Sequence, residues 1–149
     1  DVYEGRLGIP GSPGPRVVTG RGRTFMNESG GPVATLCDFY RIPLDRLIVV
    51  HDELDLDLGE VRLKRGGGDN GHNGLRSIRA ALGSGDFYRI RMGIGRPHGR
   101  QDVATFVLSD YRRDEADRLD TQVARAVDAG VMLITQGLAA TQNRFHGSP

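Results

Sequence analysis

This chain has little cysteine, few aromatic side chains, almost no net charge and no long apolar run, and each shortage excludes something. Its single thiol, Cys37, falls on the apolar face of a candidate helix, so it reads as a small buried hydrophobe in a reducing compartment rather than as a reactive group. No stretch approaches the roughly 18 apolar residues of a membrane-spanning helix, and the basic, apolar, small-residue order of a signal peptide is missing. A soluble, cytoplasmic protein with no membrane partner is expected. The formal charge of +1 gives no general attraction to an acidic partner, so any binding of nucleic acid must come from local clusters of arginine and lysine. Glycine, in contrast, is plentiful at 22 of 149 residues, and that length suits one domain with a modest core. The chain opens on Asp1 rather than methionine, and its first residues read as mid-domain.

Periodicity then orders the chain. Val2 to Leu7 and Arg16 to Thr19 read as strands of a hairpin around the turn-forming Pro10-Gly11-Ser12-Pro13-Gly14-Pro15. A helix comes next, with Val33, Leu36, Cys37 and Tyr40 on one face, Pro32 in its first turn and Pro43 beyond its end. Four consecutive aliphatics, Leu47-Ile48-Val49-Val50, read as a strand buried on both faces. Glu60 to Lys64 alternates, with Val61 and Leu63 inward and Arg62 and Lys64 outward. A helix from about Asn73 to Leu82 buries Leu75, Ile78 and Leu82. Phe87 to Ile94 alternates again, putting Ile90, Met92 and Ile94 on one face and Arg89, Arg91 and Gly93 on the other. Gly95 to Arg100 reads as a loop, and Asp102 caps a short helix, Val103 to Leu108. The last long helix runs from Asp114 towards Gln136, with Leu119, Val123, Val127, Val131 and Ile134 as its apolar stripe and Gly137 as its stop. Interleaved strands and helices make the class α/β, in one domain spanning 1–149.

Two stretches invite chemistry. His51-Asp52-Glu53-Leu54-Asp55-Leu56-Asp57 comes directly after the aliphatic strand, and in open α/β sheets ligands bind at the carboxyl ends of strands, which makes Asp52 the first candidate. The bland alternative is a solvated acidic turn, and no His or Cys joins Asp55 and Asp57 at a metal-binding spacing. The second stretch, Arg65-Gly66-Gly67-Gly68-Asp69-Asn70-Gly71-His72-Asn73-Gly74, is too glycine-rich for an ordinary turn. It reads either as an anion cradle of main-chain N–H groups ahead of a helix, or as a mobile loop letting an extended substrate approach, with His72 and Asn73 as polar contacts. Asn73 as a plain helix cap stands beside both. The spacing fits neither the P-loop nor the dinucleotide fingerprint.

Thr24-Phe25-Met26-Asn27-Glu28-Ser29-Gly30, His51-Asp52-Glu53-Leu54-Asp55-Leu56, Gly66-Gly67-Gly68 through Gly71-His72-Asn73-Gly74-Leu75, and Arg89-Ile90-Arg91-Met92-Gly93-Ile94-Gly95-Arg96-Pro97 together resemble bacterial peptidyl-tRNA hydrolase, in order and in approximate spacing. With the final helix the resemblance covers essentially the whole chain. It implies a three-layer α/β fold, its mixed, mostly parallel twisted sheet flanked by helices, and hydrolysis of the ester between a peptide and the 3′-terminal ribose of tRNA, with no metal or cofactor. That reaction recycles tRNA from aborted translation. In the family a histidine is the general base and an aspartate, matched by Asp52, holds its ring and stabilises the imidazolium. Asn27 and Asn73 match asparagines that orient peptide and water, where an amide offers donor and acceptor without a charge to desolvate. His72 matches a cleft-lining histidine and Phe25 a residue near the RNA 3′ end. Lys64 and Arg91 match the pair that grips a tRNA phosphate, with Arg62 as neighbour.

One departure stands out. The family's opening strand, its asparagine-bearing glycine turn and the motif with the catalytic histidine have no match at or after Asp1, and none of His51, His72, His98 and His146 stands in that motif. The expectation is a truncated hydrolase, impaired or inactive as it stands. The unmatched strand is central in the family's sheet, so unpaired edges, poor stability and self-association of an otherwise monomeric type are expected. An RNA-binding module without the chemistry is the alternative, as in the chloroplast intron-splicing factors that resemble this family. A nucleotide-binding protein resting on the glycine loop comes third.

Overall fold

The computed structural model describes residues 1–8, 11–12, 14–22, 26–95 and 116–146. They form two compact units: 1–48 with 65–88, and 49–64 with 89–149. The expected loop at Gly95 to Arg100, beyond its first residue, and the cap and helix at 102–108 lie outside the described residues.

In the first unit β1 (Val2–Arg6) and β2 (Arg16–Gly20) make the expected antiparallel hairpin, in register from Val2 opposite Gly20 to Arg6 opposite Arg16. Its open end is tied by reciprocal bonds between Asp1 and Arg21, and Arg16 pairs with Glu4. A 3-10 turn at Met26–Glu28 leads into α1 (Gly30–Tyr40), where Val33, Leu36, Cys37 and Tyr40 are all half-buried, as one-sided packing requires. Arg41 in the left-handed region ends it, its N–H and that of Ile42 meeting the carbonyls of Asp38 and Cys37. α2 (Asn73–Leu82) buries Leu75 and Ile78 and half-buries Leu82. The two helices approach closely because Gly30 has no side chain: a Cβ there would lie 2.2 Å from the carbonyl oxygen of Ser77. The Gly30 N–H instead donates to Ser77 Oγ at 2.8 Å, so the tight crossing also satisfies an orphan donor of α1.

The sheet has the order β3 (Ile48–Glu53), β5 (Tyr88–Gly93), β4 (Val61–Arg65), and apart from the strand-end residues Ile48, Arg65 and Tyr88 it belongs to the second unit. Bonds from Tyr88 N to Leu47 O and from Ile94 N to Glu53 O advance along both strands together, which makes β3 and β5 parallel. Those from Gly93 N to Glu60 O and from Gly66 N to Phe87 O run in opposite senses, so β5 and β4 are antiparallel and the sheet is mixed.

This order corrects two expectations. The aliphatic strand β3 is an edge among the described strands and is not buried on both faces: Ile48 and Val49 are half-buried, and Val50 is 54% exposed. The strand covered on both faces is β5, whose Arg89, expected outward, is only 1% exposed. Alternation gives the side on which a residue lies but not whether that side is covered, and the central strand has no open face here. β4 behaves as expected, with Val61 and Leu63 buried, Arg62 exposed and Lys64 half-buried.

α3 (Ala116–Gln136) ends at Gly137, whose φ of +91° suits only glycine, and α4 (Leu138–His146) comes after it. The stripe expected on α3 is on the wrong face. Val123, Val127 and Val131 are exposed and Leu119 and Ile134 half-buried, whereas Gln122, Ala126, Ala129 and Leu133 are buried. Small side chains let this helix lie close to the sheet, to the point that a Cβ on Gly130 would touch Ile90 Cδ1 at 3.6 Å.

Candidate functional site

Asp52 occupies the carboxyl end of β3, half-buried, and the acidic stretch beyond it is no free turn. Ile94 N–H donates to Glu53 O, Gly95 N–H to Leu56 O at 2.8 Å and Glu60 N–H to Asp57 O, so the loop is laced to the end of β5 and to itself. Gly93 permits this, since a Cβ there would stand 2.1 Å from Asp57 O. A rigid loop after a strand end holds a side chain more firmly than a solvated turn would.

Beside Asp52, Glu53 is buried and accepts from Arg91 on β5 through Nε at 3.1 Å and Nη2 at 2.9 Å, both on Oε1. Lys64, on β4, belongs to the same cluster. Burial pushes its ammonium below the usual lysine range, Arg91 and Arg89 push it further, and Glu53 opposes them. Lys64 and Arg91 thus feel each other's charge, while Arg62 pairs with Glu60 at 3.2 Å.

Two residues the sequence reading passed over hold the rim of this cluster. The Leu63 N–H donates to His146 Nε2 at 2.8 Å, and Gln142 Nε2 donates to Leu63 O at 3.0 Å, so side chains of α4 stand where a neighbouring strand would pair with β4. His146 is held below the usual histidine range by burial and then by Arg62 and Arg91. Its only sequence signal is a histidine in a helix's last turn, which is too common to read. Glu53 was legible in principle, as a carboxylate on one strand matched to an arginine on a strand of like polarity.

In the first unit His72, and not Asn73, caps α2: its Nδ1 accepts from Leu75 N–H at 3.1 Å, and Asn73 is the exposed first helical residue. The glycine loop's N–H groups are largely occupied. Gly66 donates to Phe87 O, Gly71 to Asp69 Oδ1 at 3.0 Å, and His72 to Asp69 O at 2.8 Å, an Asx turn that consumes the donors an anion cradle would need. Asn27 lies in the 3-10 turn before α1, where only its main chain is described, and Phe25 lies outside the described residues. His51 is buried, with its Nδ1 donating to Asp52 O at 2.8 Å. Among the described residues no three His, Cys, Asp or Glu side chains gather as a metal site would require, and no helix is long and apolar enough to cross a membrane.

The chain is similar to known proteins of one family. A family model described as peptidyl-tRNA hydrolase matches residues 3–149 and so runs through both units. The peptidyl-tRNA hydrolase of Frankia casuarinae is 56% identical over 146 residues, 98% of this chain and 72% of that protein. That of Streptomyces coelicolor is 52% identical, over 97% of this chain and 72% of its own length. Among solved structures, the peptidyl-tRNA hydrolase of Acinetobacter baumannii superposes with a TM-score of 0.75 at 33% identity, covering 97% of this chain and 71% of that one. The chain therefore belongs to the peptidyl-tRNA hydrolase family, hydrolases that act on the ester bond of peptidyl-tRNA.

Proposed function

We propose that Asp52 is the carboxylate that orients a catalytic imidazole, that Asn27 and Asn73 hold the peptide carbonyl and the attacking water, that His72 lines the cleft and Phe25 serves near the RNA 3′ end, and that Lys64 and Arg91, with Arg62 beside them, grip a tRNA phosphate. The observation that carries this reading is the cluster of Lys64 and Arg91 around Glu53, one residue from Asp52 at the end of β3. An arginine fixed by a buried carboxylate, with a lysine that feels both charges, suits a phosphate, and a strand-end aspartate suits the chemistry next to it.

In the reaction, the imidazole takes a proton from water as its oxygen attacks the acyl carbon. The carbon–oxygen bond to the 3′-terminal ribose then breaks, and the proton passes to the ribose oxygen. Asp52 stabilises the imidazolium in between, and the amides receive the charge on the carbonyl oxygen.

None of the described histidines is that base. His51 and His146 are bound to main chain at 2.8 Å, and His72 is committed to capping α2. With these three committed elsewhere, low activity is expected of the 149-residue polypeptide assayed by itself, short of the roughly 10²–10⁴-fold that a positioned base contributes. It acts in the cytoplasm, where tRNA is, and the exposed Val50 on β3, an edge among the described strands, supports self-association.

Single-turnover hydrolysis of a peptidyl-tRNA tests this. Activity should be low, rise with added imidazole in its neutral form, and lose that rescue in Asp52→Asn. Unaided turnover that disappears in both Asp52→Asn and His72→Ala would refute the assignment of the base. Salt-sensitive tRNA binding with no turnover, even with imidazole, would favour the second reading, an RNA-binding module built on the same cationic cluster.

A further inference from the structure

Glu53 is a carboxylate where an RNA-binding surface should want none. A bystander acid among Lys64, Arg89 and Arg91 would repel phosphate and weaken binding. Its geometry is not a bystander's. One oxygen, Oε1, takes both the Nε and an Nη2 proton of Arg91, and the pair is largely shielded, the side chains being 9% and 18% exposed. An arginine has five guanidinium protons in a planar fork, so this engagement fixes the plane of the fork while leaving Nη1 and the second Nη2 proton for another anion. Burial lowers the Lys64 pKa most, Arg91 and Arg89 lower it further, and the same carboxylate opposes them.

We infer that Glu53 is the positioning residue of the RNA phosphate grip: it holds the Arg91 guanidinium edge-on and lets Arg91 and Lys64 share one phosphate group of the substrate. This inference rests on the phosphate-gripping role proposed above for Lys64 and Arg91. It predicts an inverted response to charge. Removing a negative group normally tightens binding to a polyanion, whereas removing this one loosens it.

The test is the affinity of the 149-residue chain for tRNA, measured by fluorescence anisotropy across a salt series, for the wild type, Glu53→Gln, Arg91→Ala and the double variant. Circular dichroism melting confirms that each is folded. Glu53→Gln should weaken binding roughly tenfold and make the plot of log K against log salt shallower by about one, the mark of one lost phosphate contact. The double variant should be no worse than Arg91→Ala, because Glu53 acts through Arg91. If Glu53→Gln does not fold, Glu53→Asp, which keeps the charge but shortens the reach, is read in its place with the same expected loss of slope. Tighter or unchanged binding in the Glu53 variant, alongside weakened binding in Arg91→Ala, overturns the inference and leaves the phosphate grip standing. Unchanged affinity and slope in Arg91→Ala itself overturns the grip, and the inference with it.

Discussion

His146 can be tested as a proton-sensitive clasp on the edge of β4. Its Nε2 accepts from the Leu63 N–H at 2.8 Å, so the ring must be neutral with its proton on Nδ1. Leu63 is 1% exposed with the ring in place, so losing the ring removes the partner of a shielded N–H. His146→Ala should therefore cost about 1–3 kcal/mol, the range for a lost bond that leaves a buried donor unmet. For a chain of this length that is a fall in melting temperature of roughly 2–12 °C.

The pH dependence has a definite sign. Burial, then Arg62 and Arg91, hold the folded pKa of His146 below its ordinary 6.5, so the unfolded chain binds the proton more readily. The stabilisation is present in full above 6.5 and is lost as the pH falls through that value towards the lower folded one. Thermal melts of the wild type, His146→Ala and His146→Gln between pH 5 and pH 8 separate the contributions. The glutamine can accept through its amide oxygen without titrating, so it should recover most of the stability at pH 8 and lose less than the wild type towards pH 5. An alanine variant as stable as the wild type at pH 8, or the same loss of stability on acidification in all three proteins, would refute the clasp.

Gly93→Ala should loosen the loop after Asp52, since its Cβ would stand 2.1 Å from Asp57 O and 2.8 Å from Leu56 Cβ; a loss of about 1–3 kcal/mol in denaturant titration is expected. Gln122, 1% exposed, donates to Glu60 O at 3.0 Å and Gly93 O at 2.7 Å, so Gln122→Ala should cost about 2–4 kcal/mol by the same measurement. The Cys37 thiol is pushed up by burial and by Asp38 beside it, so its alkylation by iodoacetamide near pH 7.5 should be slower than that of a free thiol, and equal rates would contradict this.

How much the sequence disclosed depends on the range of the forces involved. The hairpin, α1 and α2, the inward pair Val61 and Leu63 and the cations across from them rest on local signals: turn residues, prolines at helix ends and a period of two or near four. Phe25, Asn27, His72, Asn73, Asp52, Lys64, Arg62 and Arg91 were singled out by motif, and of these Lys64 and Arg91 feel each other's charge. The covering of Arg89 and the clasp of His146 on Leu63 depend on which strand lies centrally and where the last helix comes to rest, and neither is written into a neighbouring residue.

α3 is the instructive failure. Counting apolar bulk favours the face of Val123, Val127 and Val131, yet that face is open and the packed one carries Gln122, Ala126, Ala129 and Leu133. Both faces repeat at helical spacing, so periodicity alone cannot choose between them. Distance decides it. A helix drawn close to a sheet has room for alanine and for Gly130, and the buried Gln122 is tolerated because both protons of its amide meet the carbonyls of Glu60 and Gly93. The same bonds tie α3 to the ends of β4 and β5, the strands that carry Lys64 and Arg91, so the face that looks poorer in sequence is the one that steadies the cationic cluster.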